Sequence, residues 1–498
     1  MNAPFNIILR LTLTLFILSF NLVIFGQELR YDDNWLIGYD GNDGHTRFNF
    51  KQNNLNIDVF NSKMEMDENL AISDKDGNLL FYTNGCQIFN NKHKLMTNGD
   101  SLIVNGWGQY CEKNLSLPFS QGMLVIPSSL HEDKYFLIHP NTGIFTINGE
   151  LSFGVTEYYY SEIDFDPEHL DGIVHKKGKS IIQGAFEGYG IDMCRHANGK
   201  DWWIVIPDYG FNCLNLVLFR NDTFYNYMHQ CITSDNLWAF GSGVKKFSPD
   251  GKYLAISDNF AGTTILNFDR CSGNFSYREN VTFDEINTLS SECEFSNDSR
   301  FLYVSNIDSL WQLDLSVSPI SSSKLLIDTW DQAIPRSRFG SMQRAPDGKI
   351  YVASRGTSVY YHVINHPEKK GKDCEFEQRA ITLPTYYYYY IPSYPNYNLG
   401  ADSSICFPNG VVNSVKRDCD FTVHQLNDRI IISTDAMDMS KDLKLFITNS
   451  TGQNIHFTKS QISDTSMEIK LDFDQKGIFF LTCYLRSCGF QSLKFFRD

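Results

Sequence analysis

The sequence predicts an all-β chain, a β-propeller with seven blades followed by a small C-terminal β-sandwich. Three observations carry this. Aromatic residues make up 14% of the 498 positions, while few stretches repeat apolar residues at helical spacing. One signature of a tight turn followed by an apolar strand recurs about every 50 residues along the chain. Beyond residue 400 that signature stops, and short strand-like segments separated by turns replace it.

The first element is a leader. The chain opens MNAPFNIILRLTLTLFILSFNLVIFGQ, with Arg10 ahead of an apolar run that ends at Gly26. A short basic start, an apolar middle and a small residue at the cut point predict a signal peptide over residues 1–26. The run over residues 11–25 is 15 residues long, short of the ~20 a membrane-crossing helix needs. The expected product is secreted or held at the cell surface, with no transmembrane helix after cleavage. Losing Arg10 takes the formal net charge from −15 to −16, which argues against nucleic acid or an anionic membrane surface as partner, since both would repel it.

The propeller rests on the repeat. FSPDGKYLAIS (residues 247–257), FSNDSRFLYVS (295–305) and RAPDGKIYVAS (344–354) place Gly251, Ser299 and Gly348 at intervals of 48 and 49 residues. Weaker copies lie upstream in SDKDGNLLFYT (73–83), SLHEDKYFLIH (129–139) and RHANGKDWWIVI (195–206). Asp-Gly, Asn-Asp and Asn-Gly suit a tight hairpin because they tolerate positive φ or bond their own backbone. The apolar run after each turn suits a buried strand, and the spacing leaves room for four short strands per unit. Over residues 31–400 seven blades average about 53 residues. The span 143–185 is long for one blade and predicts an inserted loop. The ends of the ring, NWLIGYDGN (34–42) and the tyrosine-rich segment LPTYYYYYIPSYPNY (383–397), are the candidates to close it by sharing one blade. Strand alternation sends Tyr386, Tyr388 and Tyr390 one way and Tyr387 and Tyr389 the other, with at least one face packed.

These turns resemble the WD-like and TolB-like propeller repeats. As an ordered set, NLAISDKDGNLLFYTNGCQIFNNKHKLMTNG, RHANGKDWWIVI, VKKFSPDGKYLAIS, QRAPDGKIYVAS, VINHP and IPSYPNYNLG are similar to a family of exported bacterial propeller proteins, over residues 35–399. The expected organisation is propeller over 27–402, linker over 403–420 and sandwich over 421–498.

In the tail, FTVHQL, RIIIS, LKLFITN, MEIKLDF, GIFFLTCYL and QSLKFFRD read as six strands. LKLFITNSTGQNI and GIFFLTCYLRSCGFQSLKFF resemble the C-terminal sorting domain of the type IX secretion pathway. That domain's opening Pro-Asn-Pro turn is absent before Arg429, and Cys483 and Cys488 are additional. The resemblance implies export across the outer membrane with the type IX machinery as a partner.

The 12 cysteines contain no Cys-x-x-Cys, so disulfides rather than a zinc ribbon are expected; Cys271 with Cys293 and Cys374 with Cys406 are candidate pairs. No nucleophile elbow, zinc-protease motif or phosphate loop occurs. Asp74, Asp76 and Asn78 have calcium-loop spacing, but Leu79 stands where that loop needs glycine, so a hairpin turn is expected. His362 and His366 are four apart, which joins two ligands on a helix but separates them by ~13 Å on the strand read here. EYYYSEIDFD (157–166) mixes acids and aromatics and reads as an exposed edge, with a cation or sugar as the functional alternative. No catalytic, cofactor-binding or metal residue is assigned, and the cofactor is left unknown. The expected function is a binding module for protein or glycan at one face of the ring. The alternatives are a hydrolase or lyase with acids converging on a metal at the channel mouth, or a structural envelope component.

Overall fold

The computed structural model describes residues 28–39, 44–103, 111, 116–117, 119–147, 149–210, 212–232, 243–258, 262–283 and 292–402, with seven strands between residues 421 and 497. The predicted signal peptide and linker lie outside these. Two compact units result, Met1–Phe407 and Pro408–Asp498.

The first unit is a β-propeller of seven sheets, each an antiparallel meander in chain order. Blades one to seven span residues 34–60, 70–90, 124–186, 192–231, 245–281, 292–329 and 338–388. Blades one and two have three strands among the described residues, the others four. All six recurring turns join the first strand of a blade to its second, in blades two to seven. Their chemistry repeats as well. Ser248 Oγ accepts the Tyr253 N–H at 3.0 Å and donates to Asp250 at 2.7 Å, and Ser296 does the same with Phe301 at 2.9 Å and Asp298 at 2.6 Å. Gly251, Ser299 and Gly348 each hold positive φ, of 71°, 61° and 83°, as such turns require.

Apolar faces of neighbouring sheets supply the core. Trp203, Leu216, Leu254 and Leu266 fill the space between blades four and five, and Phe301, Tyr303, Phe339 and Val352 that between six and seven. The ring closes without a shared blade: Asn34–Ile37 pairs within blade one and Phe376–Tyr388 within blade seven. Aromatic packing makes the junction instead, with Trp35 against Tyr351 at 5.6 Å and Phe48 against Tyr361 at 5.6 Å between ring centroids. A Thr46–Thr385 hydroxyl hydrogen bond of 2.6 Å crosses it.

Instead of the expected inserted loop, blade three carries longer strands. Lys134–Ile147, Glu150–Asp164 and Ile173–Phe186 have 14, 15 and 14 residues, so a regular arm extends past the first strand, Leu124–Pro127. Residues 157–164 of EYYYSEIDFD consequently lie in a central strand, paired on both sides, not at an edge, and Phe165 and Asp166 follow its end.

The second unit holds two sheets. One contains Phe421–Leu426, Arg429–Thr434, Ser466–Leu471 and Phe457–Ser463; the other Lys444–Asn449, Gly477–Leu485 and Gly489–Arg497. The strand Phe457–Ser463 was not anticipated, because its polar FTKSQIS gives little apolar alternation. Ile430, Ile432, Met467, Ile469, Leu445, Ile447 and Leu481 are buried, as a sandwich interior requires.

Disulfides join Cys86 to Cys111 and Cys213 to Cys231. Neither candidate pairing holds: Cys293 and Cys374 are free and buried within the sheet cores. Among the described residues no helix is long and apolar enough to cross a membrane.

Candidate functional site

The channel of a propeller is lined by the first strand of every blade, here Asn34–Ile37, Leu70–Ser73, Leu124–Pro127, Asp192–Arg195, Lys245–Phe247, Glu292–Phe295 and Arg338–Arg344. In this protein the segment after blade seven, residues 389–397, occupies it. The turn into the channel is made at Tyr389, whose φ of 62° breaks the strand alternation. Tyr386 and Tyr388 therefore stay outside, 57% and 48% exposed, and Tyr387 is buried, but Tyr390 turns inward rather than following Tyr388.

Hydrogen bonds tie this segment to every blade. Tyr394 donates to the Asn34 carbonyl of blade one at 3.0 Å, and the Tyr390 hydroxyl to the Asn69 carbonyl at the start of blade two. Tyr397 donates to the Val125 carbonyl of blade three at 2.9 Å, and Arg195 of blade four donates to the Tyr397 carbonyl at 3.2 Å. Lys246 of blade five reaches Ser393 at 2.8 Å; Tyr389 donates to Glu292 of blade six at 2.9 Å. Gln343 of blade seven donates to the Tyr394 carbonyl at 3.3 Å and accepts its N–H at 3.2 Å. Tyr390, Ile391, Tyr394 and Tyr397 are buried, and burial holds all three phenols well above their ordinary pKa.

A buried ionic group surrounds the plug. Lys246 Nζ lies 3.4 Å from Glu294 and donates to Gln343 at 2.6 Å. Asp192, whose Oδ2 accepts the Phe247 N–H at 2.8 Å, is pushed up to about 7 by burial, against the pull of Lys246. Glu292 is likewise pushed up to about 7 by burial. These groups fasten blade to blade and blade to plug. Outside them, at the plug's end, a polar cleft of about 300 Å³ is lined by residues that include Asp32, Asn297, Arg344, Asn396 and Asn398.

The residues singled out in the sequence do not meet in the channel. Asp74 closes on its own turn, Oδ1 accepting the Asp76 and Asn78 N–H groups at 2.9 Å. His362 is buried beside Ser354, while the exposed His366 faces Glu375 at 3.4 Å. The acids of EYYYSEIDFD do acquire partners: Asp164 and Asp166 converge with His169 and His175 at the blade-three turn. Those histidines were missed because a turn and a bulge, neither visible as periodicity, bring them back to the acids. The signal available was Asp-x-Asp-x-x-His-x5-His, from Asp164 to His175.

The fold and its occupied channel define a plugged seven-bladed β-propeller joined to a β-sandwich. No family model matches the chain, and no curated protein matches it. Among solved structures, a candidate 6-phosphogluconolactonase from Bacteroides fragilis is similar over 73% of this chain and 97% of its own, at 13% identity and a TM-score of 0.41. A functionally unknown protein from Desulfotomaculum acetoxidans is similar over 73% and 99%, at 11% identity and 0.39. The extracellular domain of a one-component system from B. thetaiotaomicron covers 95% of this chain and 57% of its own, at 11% identity and 0.34. At such identities and scores these likenesses carry no chemistry across to this chain.

Proposed function

We propose that this protein is an exported binding module whose ligand is a protein, engaged outside the ring rather than in the channel. The observation that carries this is the plug, which fills with the protein's own side chains the space where propeller enzymes gather catalytic groups. The blade-three arm is the surface best suited to a partner. Ile144 and Leu151, 71% and 78% exposed, lie on one face of its hairpin, since Ile144 pairs with Phe153 and Thr146 with Leu151. The disulfides and the leader-like start support an extracellular location. The second unit is proposed as the sorting domain it resembles.

Two measurements test this. In pull-downs from the source organism's surface fraction, the full chain should retain a partner that Ile144→Asp/Leu151→Asp loses at least tenfold, on the scale of lost interface anchors. Binding kept by that variant but lost in Tyr386→Ser/Tyr388→Ser would move the site to the exposed tyrosines, where a glycan would stack. Deleting residues 421–498 should trap the protein in the periplasm, and unchanged surface delivery would remove the sorting assignment.

A further inference from the structure

We propose that Asp166, His169 and His175 form a binding site for a divalent transition-metal ion of the zinc type, with Asp164 beside it. Asp166, His169 and His175 each offer a ligand atom within 4.8 Å of the others. His169 Nδ1 lies 2.9 Å from Asp166 Oδ1, and His175 Nε2 lies 3.7 Å from Asp166 Oδ2 and 3.6 Å from Asp164 Oδ2. Ligands at zinc's bond lengths of ~2.0–2.1 Å stand about 3.3 Å apart at the corners of a tetrahedron, so the separations within this trio bracket what the ion needs and leave the fourth corner to water. Two imidazoles and one carboxylate favour Zn2+ over Ca2+ or Mg2+, which take oxygen ligands.

The backbone prepares this convergence. Asp166 Oδ1 accepts the Glu168 and His169 N–H groups at 2.9 and 2.8 Å, folding the turn so that His169 returns over the carboxylate. Across the hairpin, Val174 pairs with Ile163 and Lys176 with Glu162, which leaves His175 as the extra residue of a bulge. A bulge re-aims a side chain, and here it sets His175 beside both aspartates. The His169–Asp166 hydrogen bond alone would serve the turn; it gives no reason for His175 to be there.

The site opens on a cleft of about 790 Å³, so an ion has an entry path. Glu132, Asp133 and Glu162 add negative charge to that cleft. Lys176 is held by Glu162 at 2.7 Å, and Lys134 lies 3.7 Å from Asp164 Oδ1, the oxygen turned from His175. Lys134 works against the ion.

The test is calorimetric titration of chelator-treated full-length protein with Zn2+ under non-reducing conditions, with Co2+ absorption as a second readout. The expected result is one saturable equivalent and the visible band of four-coordinate Co2+. Both should weaken at least tenfold in His169→Ala and in His175→Ala, and be unchanged in His366→Ala. Saturable Zn2+ binding that survives the His169→Ala/His175→Ala double variant would overturn the proposal, as would binding of Ca2+ alone.

Discussion

Replacing Tyr394 with alanine is expected to destabilise the propeller by about 3–5 kcal/mol, the range for removing a large buried ring. Tyr394 stacks on Trp35 at 6.2 Å between centroids and its hydroxyl holds the Asn34 carbonyl, so the change opens a cavity on the ring axis and frees a buried acceptor. Tyr394→Phe keeps the ring and should lose only the hydrogen bond, about 0.5–1.5 kcal/mol. Urea unfolding followed by tryptophan fluorescence reads both. If Tyr394→Ala shifts stability by less than the phenylalanine variant, the plug is not what holds the blades.

Lys246→Met should be about as damaging, by roughly 3–5 kcal/mol, because it strips the cation from a buried pair and leaves Glu294 buried without its counter-ion. Adding Glu294→Gln should restore a large part of the loss. The defect should also depend on pH. Asp192 has a folded-state pKa of about 7, raised above its ordinary 3.8, so the stability its proton uptake supplies is complete below about 4 and is lost as pH rises through 7. Lys246 lowers that value, so without it Asp192 takes up its proton more readily still, and the variant should lose more at pH 8 than at pH 5.5. Equal losses at the two values, measured by denaturant midpoint, would detach Asp192 from Lys246.

The sequence was a good guide wherever neighbours in the chain decide the structure. Asp-Gly and Asn-Asp turns with a preceding serine fix their own hairpins, so all six marked turns fall between the first two strands of a blade. The plug was not legible. Residues 389–397 have no period, their prolines exclude a ladder, and their partners run from Asn34 to Gln343. The blade-three strands were misjudged because length alone does not distinguish an inserted loop from longer strands. Of the metal ligands proposed there, Asp166 drew notice as part of a charged stretch. The histidines did not, since a bulge shifts register by one residue and sequence spacing does not record it.

A repeat protein whose units touch only their neighbours unravels piecemeal, each interface failing in its turn. The plug alters that connectivity, because one strand of chain is a neighbour to all seven blades at once. Loosening any blade then releases contacts shared with the other six, so the inner strands should exchange their amide protons together, as one cooperative block. The same wiring orders events in time. The plug follows blade seven in the chain, so during vectorial synthesis the ring waits, unlocked, until its last residues arrive.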